Sequence, residues 1–120
     1  MAQSLQEFKA ELFKALAHPT RIRVLELLRS GEKSVSELSS RLDLEQPAVS
    51  QQLAVLRARY LVLPRKEGTT VYYRVADPRL FDLLDSARAI FDAHLDGLQA
   101  MVGAGPAEGD RRQAAASLTD

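Results

Sequence analysis

Between Leu61 and Val75 the apolar residues of this chain abandon the helical period that governs them elsewhere, and this change of rhythm limits the architecture more than any other feature. Val71, Tyr73 and Val75 alternate with Thr70, Tyr72 and Arg74, the two-residue period of a strand. With Leu61 to Lys66 before it and Glu67-Gly68-Thr69 between, this predicts a β-hairpin. Upstream, Leu5, Phe8, Leu12 and Leu16 recur at steps of three and four, predicting a helix from about Leu5 to Ala17. His18-Pro19 ends it, because proline disfavours helical geometry at the preceding residue, and Thr20 is expected to cap a second helix carrying Ile22, Val24, Leu25, Leu27 and Leu28. Ser30-Gly31 closes that helix. Ser34 or Ser36 opens a short third one with Val35, Leu38 and Leu42, and Gln46-Pro47 begins a fourth with Val49, Leu53 and Leu56, reaching about Ala58. After the hairpin, Asp77-Pro78 precedes a long helix striped with Leu80, Leu83, Leu84, Ala87, Ile90, Phe91, Leu95, Leu98 and Met101. The expected fold is mainly α with a small β-hairpin, in the order α-α-α-α-β-β-α.

The 120 residues suit one ordinary domain, placed at 1–102. The stretch 103–120, GAGPAEGDRRQAAASLTD, has no apolar period and cannot bury enough surface to offset its ordering entropy, so it is expected to be a disordered tail. No run approaches the roughly 18 apolar residues of a membrane span, and the N-terminus lacks a basic region followed by an apolar one, so a cytoplasmic protein is expected. Absence of cysteine removes disulfides, thiolate metal sites and cysteine nucleophiles.

Sixteen basic and sixteen acidic residues cancel, so net charge gives no argument for a nucleic-acid partner. The distribution does. From Gln46 to Arg74 five cations, Arg57, Arg59, Arg65, Lys66 and Arg74, stand against Glu67 alone, whereas Asp77 to Asp96 holds five aspartates against two arginines. A helix pair joined by a tight turn and followed by a basic hairpin suits DNA, because a helix fits the major groove and a hairpin can follow the backbone. With Val49, Leu53 and Leu56 turned inward, the fourth helix offers Gln46, Ser50 and Gln51 to base edges or phosphates. On the hairpin, Arg65, Lys66, Thr69, Thr70 and Arg74 suit phosphates, which fix position without specifying sequence.

Three segments occur together in one order: A-x-P-T-R-x-x-x-L-x-x-L at Ala17 to Leu28, V-S-x-x-L-x-x-L at Val49 to Leu56, and R-x-E-G followed by Y-Y-R from Arg65 to Arg74. On these the chain resembles the ArsR/SmtB family of winged helix-turn-helix repressors, closely from Phe13 to Val75 and by pattern only in its first and last helices. The resemblance implies a homodimer through those two helices, with Leu5, Phe8, Leu12, Leu84, Phe91, Leu95 and Leu98 as interface candidates. It further implies a near-palindromic double-stranded DNA operator, and repression relieved by an effector.

Metal sites of such proteins do not carry over. Where the family places cysteines near the third helix, this chain has Ser34-Val35-Ser36-Glu37-Leu38-Ser39, and hydroxyls are poor ligands for soft metals. For the second family site Asp77 matches, but Arg79, Ile90 and Ala93 replace the other ligands. The remaining candidates for Ni, Co or Zn are His94 with Asp85 or Asp92 from two subunits; a separate effector protein is the other route to a metal response. No nucleophile-base arrangement or phosphate loop supports an enzyme. A winged helix that docks another protein is the alternative to a DNA-binding one.

Overall fold

The structure, a computed structural model, describes residues 2–102, and the tail expected at 103–120 lies outside them. The chain divides into two compact units, one ending at Pro78 and the other beginning at Arg79.

In the first unit, α1 (Leu5–Leu16) starts at Ser4, whose hydroxyl accepts from the Glu7 amide at 3.1 Å. α2 (Pro19–Leu27) differs from expectation at its first turn. Its cap is His18, whose Nδ1 accepts from the Thr20 amide at 3.2 Å, and Pro19 takes the first helical position, where a missing N–H costs nothing. A 3-10 turn (Leu28–Ser30) then leads to Gly31, whose φ of 132° is a conformation other residues rarely adopt.

Lys33 and Ser34, where no alternation in the sequence marks a strand, form β1 and pair antiparallel with Tyr73 and Tyr72. Lys33 is buried, and its ammonium donates to the Ser30 hydroxyl at 2.7 Å. Ser34 also caps α3 (Val35–Leu42) through a reciprocal capping box with Glu37. α3 closes with Asp43 in the left-handed region at φ 55°, while the Leu44 amide reaches back to the Ser39 carbonyl at 3.1 Å. This is the Schellman closure, with aspartate in the place glycine usually takes. The Ser39 hydroxyl donates to the Leu44 carbonyl, tightening the turn.

α4 (Gln46–Ala58) ends the same way: Tyr60 has φ 59°, and the Leu61 amide bonds the Leu56 carbonyl at 3.0 Å. β2 (Val62–Glu67) and β3 (Thr70–Val75) form the hairpin, the sheet order being β1-β3-β2. Glu67 faces Thr70, so the loop is Gly68-Thr69 alone, with glycine first at φ 61°, as a two-residue hairpin turn prefers. Pro64 is tolerated because β2 is an edge strand.

The core of this unit takes Val24 and Leu25 from α2, Leu38 from α3, Val49, Leu53 and Leu56 from α4 and Val62 from β2, all inaccessible to solvent. Burying each such side chain contributes about 1.5–3 kcal/mol. The helix pair α3–α4 and the two-stranded wing are thereby fixed on one scaffold.

Of the second unit the structure describes α5 (Arg79–Val102), 24 residues and about 36 Å long at 1.5 Å per residue. Leu84, Phe91, Leu95 and Leu98 share one face and are half-buried, while Ile90 and Met101 are exposed. Among the described residues no helix is long and apolar enough to cross a membrane.

Candidate nucleic-acid interface

α4 is divided along its length. Val49, Leu53 and Leu56 are fully buried, whereas Gln46, Pro47, Ser50, Gln51 and Ala54 are exposed. The apolar side fastens the helix and leaves a shallow polar face of amides, a hydroxyl and small groups. Such a face brings a helix close to base edges, since glutamine can pair bidentately with adenine and serine accepts or donates as required. No side chain caps the start of α4, although Glu45 stands at the cap position.

The wing sorts its polar residues by the pleat. Successive side chains of a strand point to opposite faces. Arg65, opposite Tyr72, therefore shares one face with Glu67, Thr70, Tyr72 and Arg74, while Lys66, opposite Val71, leaves from the other. Thr69 stands exposed in the loop itself. All the phosphate-binding candidates are exposed, and they leave the wing from both of its faces and its loop.

Arg65 is already occupied. Its Nε lies 3.1 Å from both carboxylate oxygens of Glu32, its Nη2 2.5 Å from Glu32 Oε1, and its Nη1 3.0 Å from Glu67 Oε2. The guanidinium also sits 4.9 Å from the centre of the Tyr72 ring, within cation–π range. Hydrogen bonding from Arg65, helped by the positive charges of Arg65 and Arg74, holds the Glu32 carboxyl below the usual carboxylate range. The same two glutamates push the Arg65 guanidinium further towards its charged form. Arg59 is likewise paired, with Glu11 of α1 at 2.8 Å. The five cations that sequence order sets against one glutamate thus meet three carboxylates in space, Glu11, Glu32 and Glu67, and their excess falls from four to two. Glu32 is the residue that sequence reasoning missed. It lies 33 positions from Arg65, and no short-range spacing links the two.

The metal candidates do not converge on one chain. At about 100° per residue, Asp85 and Asp92 share a face of α5, whereas His94 stands roughly 180° away from Asp85. Asp92 lies 3.9 Å from Arg88. Among the described residues no group of three or more His, Cys, Asp or Glu could hold a metal ion. Ser34, in the stretch where the resemblance would put a thiolate, is engaged in the capping box.

Residues 18–62, from the cap of α2 to the first residue of β2, match the family described as "Bacterial regulatory protein, arsR family". The regulator Rv0081 of Mycobacterium tuberculosis, described as an uncharacterized HTH-type transcriptional regulator, is 47% identical over 74% of this chain and 79% of its own length. The chain belongs to the arsR family. Its fold agrees: the crystal structure of Rv0081 superposes with a TM-score of 0.71 at 43% identity, covering 80% of this chain and 97% of that one. A biofilm growth-associated repressor of Agrobacterium fabrum is 43% identical over 74% of this chain and 76% of its own. Mb0332 of Mycobacterium bovis, described as a homodimeric winged helix-turn-helix DNA-binding domain, gives a TM-score of 0.70 at 33% identity over 81% and 95%. This arsR-family chain is accordingly a DNA-binding transcriptional regulator of winged helix-turn-helix fold.

Proposed function

We propose that this regulator acts as a homodimeric repressor in the cytoplasm, α4 of each protomer reading one half of a near-palindromic operator. The observation that carries the reading is the division of α4, three fully buried apolar residues behind an exposed face of Gln46, Ser50 and Gln51. In this reading those three meet base edges, while Lys66, Thr69, Thr70 and Arg74 meet phosphates, and Arg65 joins them once it leaves its glutamates.

Dimerisation is proposed through α1 and α5. Leu5 and Phe8 remain 60% and 54% exposed on α1, and Leu12 follows on the same face. On α5, Leu84, Phe91, Leu95 and Leu98 recur at sevens, fours and threes, a stripe suited to a helix partner. Mb0332, of similar fold, is described as homodimeric. Two copies would set their α4 helices one turn of the duplex apart, about 34 Å. Residues 1–102 then work as one domain.

Ni, Co or Zn could be sensed through His94 of one protomer with Asp85 or Asp92 of the other, because one helix does not bring them together. A separate effector protein would remove the need for such a site.

Selecting bound sequences from a random duplex pool tests the proposal. It expects enrichment of a near-palindrome whose half-sites lie about 10 base pairs apart, or a multiple of that, centre to centre. Enrichment of no motif, or of a single half-site, would contradict the dimeric reading; no retention of DNA at all would favour a winged helix that docks protein.

A further inference from the structure

The outer face of the wing carries two cations, Arg65 and Arg74, and two carboxylates stand among them. Glu32 lies just before β1, whose pairing with β3 brings it beside Arg74, and from there its carboxylate reaches across to the guanidinium of β2. It takes the Nε and Nη2 hydrogens, the edge of the guanidinium fork that best fits an oxyanion, and Glu67 takes Nη1. Counted as unit charges, this face is neutral in the free protein.

A DNA phosphate and a carboxylate ask the same thing of an arginine: two parallel N–H donors and a positive charge. Both cannot hold the same edge. We propose that Glu32, with Glu67 as a lesser partner, competes with DNA phosphate for Arg65, so that the wing engages the duplex backbone only by exchanging the Glu32 carboxylate for a phosphate. The inference rests on the wing meeting DNA, as proposed above.

The exchange is physically accessible. The Arg65 and Glu32 side chains are 44% and 35% exposed, and ion pairs so open to water hold weakly. What Glu32 sets is the charge left behind: after the exchange a carboxylate remains beside the phosphate and repels it. Tyr72 keeps the guanidinium over its ring, so release from Glu32 leaves Arg65 on the wing instead of free in solvent. Glu32 is thereby an affinity-setting residue outside the α4 reading face and without a DNA contact of its own.

Glu32→Gln keeps the shape and removes the charge. Duplex binding by the full chain, followed by fluorescence anisotropy from about 50 to 200 mM salt, is expected to tighten both for DNA from upstream of its own gene and for a scrambled duplex. In the wild type the released carboxylate offsets one neutralised phosphate; without it the salt slope steepens by about 0.9, so the advantage of the variant should be about 3-fold larger at the low end of that range than at the high end. Glu67→Gln should act in the same direction and less. In an Arg65→Gln background most of the Glu32→Gln gain should vanish. Unchanged or weaker binding by Glu32→Gln in a protein that binds DNA would overturn the competition, and so would a full gain that persists without Arg65. Absence of duplex binding by the wild type even at low salt is a separate result, one that removes the DNA reading and this inference with it.

Discussion

Replacing Ser34 by alanine should destabilise the protein by about 1–2 kcal/mol through one lost acceptor. The Ser34 hydroxyl accepts from the Glu37 amide at 3.1 Å, and the Glu37 carboxylate accepts in return from the Ser34 amide at 3.1 Å. Ser→Ala at a helix N-cap costs about 0.5–2 kcal/mol. The upper half of that range applies because Ser34 is only 7% exposed, which leaves water little access to the orphaned amide. Ser34 is also the joint between the wing and the helix pair, since it pairs with Tyr72 in the sheet while starting α3. For a domain of roughly 100 residues 1 kcal/mol moves Tm by about 4–8 °C, so Ser34→Ala should melt roughly 4–16 °C lower. Thermal unfolding followed by far-ultraviolet circular dichroism, at one fixed protein concentration because a dimer's Tm depends on it, measures the difference. Glu37→Gln keeps an acceptor for the return bond and should stay within about 0.5 kcal/mol of wild type. A Ser34→Ala protein that melts with the wild type, or a Glu37→Gln protein that falls as far, would refute the reasoning.

Leu53→Ala empties a fully buried position on α4 and should cost about 2–5 kcal/mol in a denaturant titration. Tyr60→Gly should instead stabilise by about 0.5–1 kcal/mol, because relief of a left-handed φ of 59° outweighs the added chain entropy; a loss in the same titration would show that the ring packs on something that compensates its strain. If the chain dimerises through α5 as proposed, Phe91→Glu should sediment as a monomer where the wild type sediments as a dimer, and an unchanged dimeric mass would move the interface elsewhere. Lys66→Ala should weaken binding to all duplexes and flatten the salt slope by about 0.9, whereas Arg65→Ala, already balanced by Glu32 and Glu67, should flatten it less. Equal slopes for the two variants would show that the ion pairs do not persist in solution.

The helices are legible because most of their signals lie within a few residues: an apolar period of three and four, His18-Pro19 and Ser30-Gly31 at two closes, and a proline in the first turn at Pro47, whereas the start of α3 stays open between Ser34 and Ser36 until the capping box with Glu37 decides for Ser34. The wing was legible from alternation and from Gly68. Two local features still escaped. His18 caps α2 with a ring nitrogen, a task for which serine and threonine are the ordinary candidates, so Thr20 drew the assignment. β1 is two residues long, and a period of two cannot show itself in two residues.

The candidate site divides along the same line. Gln46, Ser50 and Gln51 could be placed on the outer face of α4 because the buried face is fixed by Val49, Leu53 and Leu56 on the same helix. The electrostatics of the basic stretch from α4 to the wing could not, because Glu11 reaches Arg59 at the end of α4 and Glu32 reaches Arg65 on the wing from 48 and 33 positions away, through folding alone. Sequence order therefore overstated the positive charge available to DNA.

The most direct test of the central claim is fluorescence anisotropy of the purified chain on duplex DNA from upstream of its own gene, against a scrambled duplex, with wild type and Gln51→Ala compared at one salt concentration. The account predicts tighter binding to the upstream duplex and loss of most of that preference in Gln51→Ala, with scrambled-duplex binding little changed. Equal affinity of the wild type for both duplexes, or a preference that survives Gln51→Ala intact, would contradict it.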